Sequence, residues 1–268
     1  MTQLYARFLV VVVRLATALF GRWRRLTVLA RVHDGLAPEC VVIVNGISLT
    51  LLVPDRKAVY WPRYGFQKEP NTIAWIEGFS DSDVFYDIGA NIGVYTLYAA
   101  KARSARVVAI EPSPFSHRVL VDNLRRNGVS SLVTPLCLAV GAETKAMPLY
   151  LGSTEVGSIG HTIDREERIE TGFEVGTLAF RLDDLTEMEG LPHPTHIKID
   201  VDGIEHQVLE GARSLLSNPA LKSAMVEFLT HDNPGRQRIS ALLVECGLTL
   251  ATDWRDDGSD NRLFVRCR

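Results

Sequence analysis

The chain has 268 residues, 46% of them hydrophobic and 23% charged, with a formal net charge of −3. That length and composition fit one large globular domain, or one domain with an appendage, and the charge balance supplies no basic field for a nucleic-acid partner. Cys40, Cys137, Cys246 and Cys267 include no C-x-x-C pair and no zinc-ligand spacing, so they read as thiols of a reducing, cytoplasmic setting, and no zinc site is expected among them.

The first element is "RFLVVVVRLATALFGRWRR". Arg14 interrupts the apolar run after Val13, so no uncharged stretch reaches the roughly 18 residues of a spanning helix. Arg7, Arg14 and Arg25 share one helical face, and Leu4, Phe8, Val11, Val12, Leu15 and Leu19 occupy much of the rest. The expectation is a basic amphipathic helix. It can pack on its own domain, make a peripheral membrane contact, or serve as a cleaved signal. Next, "ECVVIVNGISLTLLV" reads as a β-hairpin turning at Asn45–Gly46. The sequence "PDRKAVYWPRYGFQKEP" reads as a connecting loop. Helix, hairpin and loop together form an appendage over residues 1–70.

Residues 71–268 then alternate strand and helix. "NTIAWIEGF" is a short helix with Asn71 as its cap, and "DVFYDI" is a strand. "GVYTLYAAKA" is a helix, "ARVVAIEP" a strand, and "SPFSHRVLVDNLRRNGV" a helix. "LVTPLCLAV" is a strand broken by Pro135. "THIKIDVDG" and "LKSAMVEFL" are strands separated by the helix "IEHQVLEGARSLLS". After the helix "PGRQRISALLVECG", the strands "LTLATDW" and "NRLFVRC" close the chain. The pattern predicts an α/β fold, a mostly parallel sheet with helices on both faces. A hairpin of the last two strands puts an antiparallel strand at or near one edge. Residues 141–182 interrupt the alternation with a polar, glycine-rich stretch, "STEVGSIGHTIDREERIETGFEVG", which is a candidate cover over a substrate.

The motif "DIGANIG", residues 87–93, ends a strand and opens a helix. Gly89 and Gly93 permit a tight turn and close approach to a ligand. A dinucleotide fingerprint needs glycines where Asn91 and Val94 stand, and Asp87 adds negative charge. Both features disfavour a phosphate and favour a ligand with a cationic ammonium. S-adenosylmethionine is such a ligand. Glu111 closes the next strand about 20 residues on, where an acid accepts hydrogen bonds from ribose hydroxyls. In "HIKIDVDGIEHQVLEGA", Lys198 and Asp200 share a strand face, Asp202 flanks the strand end, and Glu205 falls in the first helical turn. A buried Lys198 needs a carboxylate, from Asp200 or Glu227. A hydroxyl acceptor needs a proton acceptor, with Asp200 first and Asp202 and His206 behind it. Asp200 and Glu227 also suggest a metal-assisted variant, and His161 is a further candidate for contact with the acceptor.

The ordered series "KEPNTIAWI", "DVFYDIGANIGVYTLYAA", "VVAIEPSP", "LAVG", "LDDL", "IKIDVDGIEHQVLEGA" and "VEF" resembles the FkbM family of S-adenosylmethionine-dependent methyltransferases, over about residues 65–230. The resemblance implies a Rossmann-like class I methyltransferase fold, a seven-stranded sheet with one antiparallel strand. It implies methyl transfer to a hydroxyl of a small molecule or glycan. Carried over, Asp87, Gly89, Asn91 and Gly93 line the methionine end, Glu111 holds the ribose, and Ser113 and Ala139 border the adenine. Glu69 stands where the family has an acid near the cofactor tail or the acceptor. The family's "KIDVEG" reads "KIDVDG" here, so Asp202 is one methylene shorter. Two other readings share the fold, an RNA methyltransferase and a non-catalytic binding protein. The acids at 200, 202 and 205 favour activity.

Overall fold

A computed structural model describes residues 1–166, 173–228, 233–252, 254 and 258–266. The most polar part of the expected cover, residues 167–172, and the Cys267 thiol lie outside the described residues. The chain divides into two compact units, Met1–Glu39 and Cys40–Arg268.

The first unit is two helices, α1 (Thr2–Ala16) and α2 (Arg22–Gly35), instead of the single helix read from the arginine spacing. The break has a local cause. Thr17 Oγ1 donates back to the Val13 carbonyl at 2.9 Å, and Gly21 takes an extended conformation as the N-cap of α2. Arg25 therefore belongs to α2. Leu4, Phe8, Val11 and Leu15 of α1 are all exposed. Among the described residues no helix is long and apolar enough to cross a membrane.

The hairpin pairs β1 (Glu39–Val44) with β2 (Ile47–Leu52), and Asn45 and Gly46 both take the positive φ of a two-residue turn, 47° and 83°. It is held to the larger unit by side chains: Asn127 Oδ1 accepts from the Thr50 N–H at 2.9 Å, and Asn123 Oδ1 from the Leu52 N–H at 2.7 Å. The compact units thus part after α2, whereas the sequence reading drew its boundary at residue 70. The expected connecting loop also contains a π-helical turn, Trp61–Gly65, running into α3 (Phe66–Lys68). In α4 (Pro70–Glu77) the N-cap is Glu69, not Asn71, because Pro70 takes the first helical position, where no N–H is needed.

Ten further strands follow in chain order among the described residues: β3 (Val84–Ile88), β4 (Arg106–Ile110), β5 (Val133–Leu136), β6 (Ala139–Val140), β7 (Lys145–Tyr150), β8 (Glu174–Phe180), β9 (His196–Ile199), β10 (Ser223–Glu227), β11 (Leu248–Leu250) and β12 (Asn261–Arg266). The remaining helices are α5 (Val94–Arg103), α6 (Pro114–Asn127), α7 (Leu182–Thr186), α8 (Glu205–Glu210), α9 (Arg213–Ser217) and α10 (Asn233–Glu245). Seven strands form the main sheet in the order β11-β12-β10-β9-β3-β4-β5. β12 runs antiparallel to both neighbours, and the other pairings of that sheet are parallel. All five residues of β3 are buried, as a parallel strand covered on both faces requires.

"LVTPLCLAV" divides between two sheets. β5 is an edge strand, which tolerates Pro135, and β6 joins a three-stranded sheet in the order β6-β8-β7. The strands after β3 build outward to one side and those from β9 to the other. The crevice at that reversal opens beyond the carboxyl ends of β3 and β9.

Candidate functional site

The turn after β3 is shaped by contact with β9. Gly89 has φ +85°, and a Cβ there would lie 1.8 Å from the Asp200 carbonyl oxygen, so only glycine fits. Gly93 starts α5, and a Cβ on it would meet Leu120 Cδ1 at 2.5 Å. Beyond the turn lies a cleft whose lining includes Gly89, Asn91, Glu111, Ala139, Asp200 and Asp202. Six other residues selected from the sequence do not line it: Glu69, Asp87, Gly93, Ser113, Lys198 and Glu205.

Glu111 is held by the chain on both sides. Its Oε2 accepts from the Asn91 N–H and its Oε1 from the Ser113 N–H, each at 2.8 Å. Burial pushes its carboxyl up to about 7 against those two bonds. Each oxygen keeps a lone pair for a vicinal diol. Ser113 also caps α6, accepting at Oγ from the Ser116 N–H at 3.5 Å, so it supports the acid and the helix. Ala139 belongs to an apolar wall with Ile110, Pro112 and Leu138. Asn91 has an Oδ1 without a partner among the described residues. Asp87 is buried, accepts from Thr96 Oγ1 at 2.5 Å, and is raised above its usual range by burial. The open Asn91 acceptor and the Glu111 carboxylate, both at the cleft, are chemically suited to an ammonium and a ribose.

Behind the cleft sits a buried charged cluster. Lys198 Nζ donates to Asp200 Oδ2, stands 3.8 Å from Glu69 Oε2, and lies 4.9 Å from the Tyr95 ring centroid. Burial works against its charge, but Asp200, Glu69 and Asp87 outweigh it and hold the ammonium protonated. Burial likewise opposes ionisation of Asp200, and Lys198 outweighs it, so Asp200 is lowered. Glu227 is hydrogen-bonded to Asp200 and raised, first by burial and then by that neighbour. The two carboxyls thus share a proton that resides on Glu227. Glu69, expected beside the cofactor tail or acceptor, instead accepts from Thr72 Oγ1 at 2.9 Å and faces Lys198. Glu205 turns back on its own loop, accepting from the N–H groups of Gly203 at 3.1 Å and Val201 at 3.3 Å. Among the described residues, no group of three or more histidine, cysteine or acidic side chains is placed to hold a metal ion.

Asp202 faces the cover. Its Oδ2 accepts from the Gly160 N–H at 2.7 Å, and the His161 N–H is also bonded to it. Burial and then Asp200 push its carboxyl up to about 6. The same segment is fastened from other directions. Trp61 Nε1–H donates to the Gly157 carbonyl at 2.9 Å, and the Val156 N–H donates to Asp55 Oδ2 at 2.6 Å. The Gly157 N–H donates to Ser116 Oγ at 3.2 Å, and Asn91 Nδ2 to the Ser158 carbonyl at 3.1 Å. Sequence reasoning missed Asp55, Trp61 and Ser116. Their partners lie far along the chain, and the only local sign was the unusual aromatic content of "VYWPRYGF".

A doubly wound sheet with its antiparallel strand next to an edge, and with Asn91 and Val94 where a dinucleotide site has phosphate-binding glycines, is the architecture of the class I methyltransferases. The chain belongs to the FkbM family: the model of the methyltransferase FkbM domain matches residues 87–250. It is similar to 31-O-demethyl-FK506 methyltransferase FkbM of Streptomyces tacrolimicus, with 26% identity over 64% of this chain and 74% of that one. It is similar to hexuronic acid methyltransferase AglP of Haloferax volcanii, with 25% identity over 70% of this chain and 77% of that one. A crystal structure of methyltransferase FkbM from Methylobacillus flagellatus KT shares the fold, with a TM-score of 0.50 at 21% identity. That alignment takes in 70% of this chain and 44% of that one, so this chain spans less than half of that protein.

Proposed function

We propose that this methyltransferase moves a methyl group from S-adenosylmethionine to a hydroxyl oxygen of a small molecule or glycan. Asp200 carries the proposal: it lines the cleft and accepts a hydrogen bond from the buried Lys198 ammonium. When bound, S-adenosylmethionine supplies an electrophilic methyl on a sulfonium. Asn91 would hold the ammonium end, with Asp87 buried behind the turn, Glu111 would hold the ribose diol, and Leu138 and Ala139 would flank the base. Asp200 accepts the hydroxyl proton as the oxygen is alkylated. Lys198, Glu69 and Glu227 position Asp200, and the cover excludes water and aligns the acceptor. The names of two relatives, a 31-O-demethyl-FK506 methyltransferase and a hexuronic acid methyltransferase, support an oxygen acceptor of this kind. We place the enzyme in the cytoplasm, with the exposed apolar and arginine-bearing surface of α1 and α2 suited to peripheral contact with a membrane.

The test is a screen with S-adenosylmethionine against hydroxylated sugars, uronic acids and polyketide alcohols, read by a mass gain of one methyl group. With a hydroxyl acceptor found, Asp200→Asn should lower kcat by about 10²–10⁴-fold. Methylation confined to nitrogen or carbon acceptors would contradict the proposal.

A further inference from the structure

His161 lies in the cover, is 8% exposed, and lines the cleft. One of its ring nitrogens is committed: the Gly152 N–H donates to Nδ1 at 3.2 Å. A backbone N–H bonds only to a lone pair, so Nδ1 carries no proton. Burial, and then Lys57, push the imidazole down to about 4, so the ring is neutral near pH 7. The single proton of a neutral ring whose Nδ1 is an acceptor sits on Nε2. That N–H has no partner among the described residues.

Buried donors are almost always paired, so an unpaired one calls for an explanation. Four buried side-chain atoms among the described residues lack a partner: Asn91 Oδ1, His117 Nε2, His161 Nε2 and Asn261 Oδ1. Asn91 and His161 line the cleft, and the other two residues do not. Asn91 offers an acceptor and His161 a donor. Around them the wall is apolar, with Leu138, Ala139, Leu149, Ile163 and Ile204. A flat purine suits such a wall, and its ring nitrogens are acceptors that need a donor.

We propose that the Nε2–H of His161 donates to a ring nitrogen of the adenine of S-adenosylmethionine, making His161 a specificity-determining residue for the cofactor. The inference rests on the cofactor reading above. It also assigns His161 to the cofactor, where the sequence suggested contact with the acceptor.

The test is calorimetric titration of the full chain with S-adenosylhomocysteine and with its deaza analogues, each having one ring nitrogen replaced by carbon. His161→Phe should weaken S-adenosylhomocysteine binding by about tenfold or more. One deaza analogue should bind the parent with a similar loss and show no further loss in His161→Phe. His161→Gln, which keeps a donor near the Nε2 position, should recover part of the affinity. Heteronuclear NMR of the free parent should show His161 with its proton on Nε2. Equal binding of all analogues by the parent, parent-like affinity in His161→Phe, or a proton on Nδ1 would overturn the inference. A folded parent that binds none of these compounds would overturn the cofactor reading and this inference with it.

Discussion

Asp200 and Glu227 end neighbouring strands and are hydrogen-bonded to each other, yet their charge states differ. Lys198 is the reason, because it stabilises the anion on Asp200 and leaves the shared proton on Glu227. Glu227→Gln keeps a neutral donor and should change stability by less than about 1 kcal/mol. Asp200→Asn leaves Lys198 buried with Glu69 at 3.8 Å as its nearest remaining acid and should cost roughly 3 kcal/mol. Urea unfolding separates the two, and equal losses would contradict the assignment.

A second residue-scale expectation concerns His196, whose Nδ1 lies 2.7 Å from Ser223 Oγ and which burial pushes down to about 4 from 6.5. A histidine pKa depressed by folding contributes stability above about pH 6.5 that is lost as pH falls toward 4. The destabilisation caused by His196→Gln should therefore shrink over that window, by up to about 1.4 kcal/mol per pH unit. A pH-independent difference between parent and variant would refute it. Acids at strand ends, such as Asp87 and Glu111, were visible in the sequence because a short motif fixes their place. The enclosure of Glu69 by Lys198 was not, because a contact between β9 and the start of α4 leaves no local pattern.

At the scale of elements, the alternation of buried strands and helices was readable along the main sheet, including the antiparallel β12, but the single helix read in "IEHQVLEGARSLLS" is two, α8 and α9, parted at Gly211–Ala212. Its limits were places where tertiary contact overrides local pattern. "LVTPLCLAV" looks continuous, but its halves pair with different sheets, β5 with β4 and β6 with β8. The stretch before α4 looks like a loop because prolines and aromatics dominate it, and the structure winds it into a π-helical turn that presents Trp61 to the cover. The cover itself was recognisable as an interruption, but its fastenings were not. Asp202 is the fastening nearest the chemistry. Asp202→Ala removes acceptors for the Gly160 and His161 N–H groups, a loss of roughly 2 kcal/mol of local stability. Limited proteolysis within residues 155–163 should become faster while the rest of the chain stays resistant. Unchanged cleavage would show that Asp202 does not hold the cover. Asp202→Glu, which restores the family's residue, should be milder.

For the molecule as a whole, every buried apolar side chain among the described residues lies between Leu49 and Phe264. Deleting residues 1–39 should therefore leave cooperative unfolding, with Tm changed by less than about 3 °C. Collapse of the deleted protein would show that α1 and α2 belong to the folding unit. The turn after β3 and the acid after β4 form the proposed nucleoside site. Calorimetric titration with S-adenosylhomocysteine, beside Asp87→Ala and Glu111→Ala, tests it most directly. The parent should bind with micromolar affinity, and each variant should lose about tenfold or more. A folded parent without affinity, or variants that bind as the parent does, would contradict it.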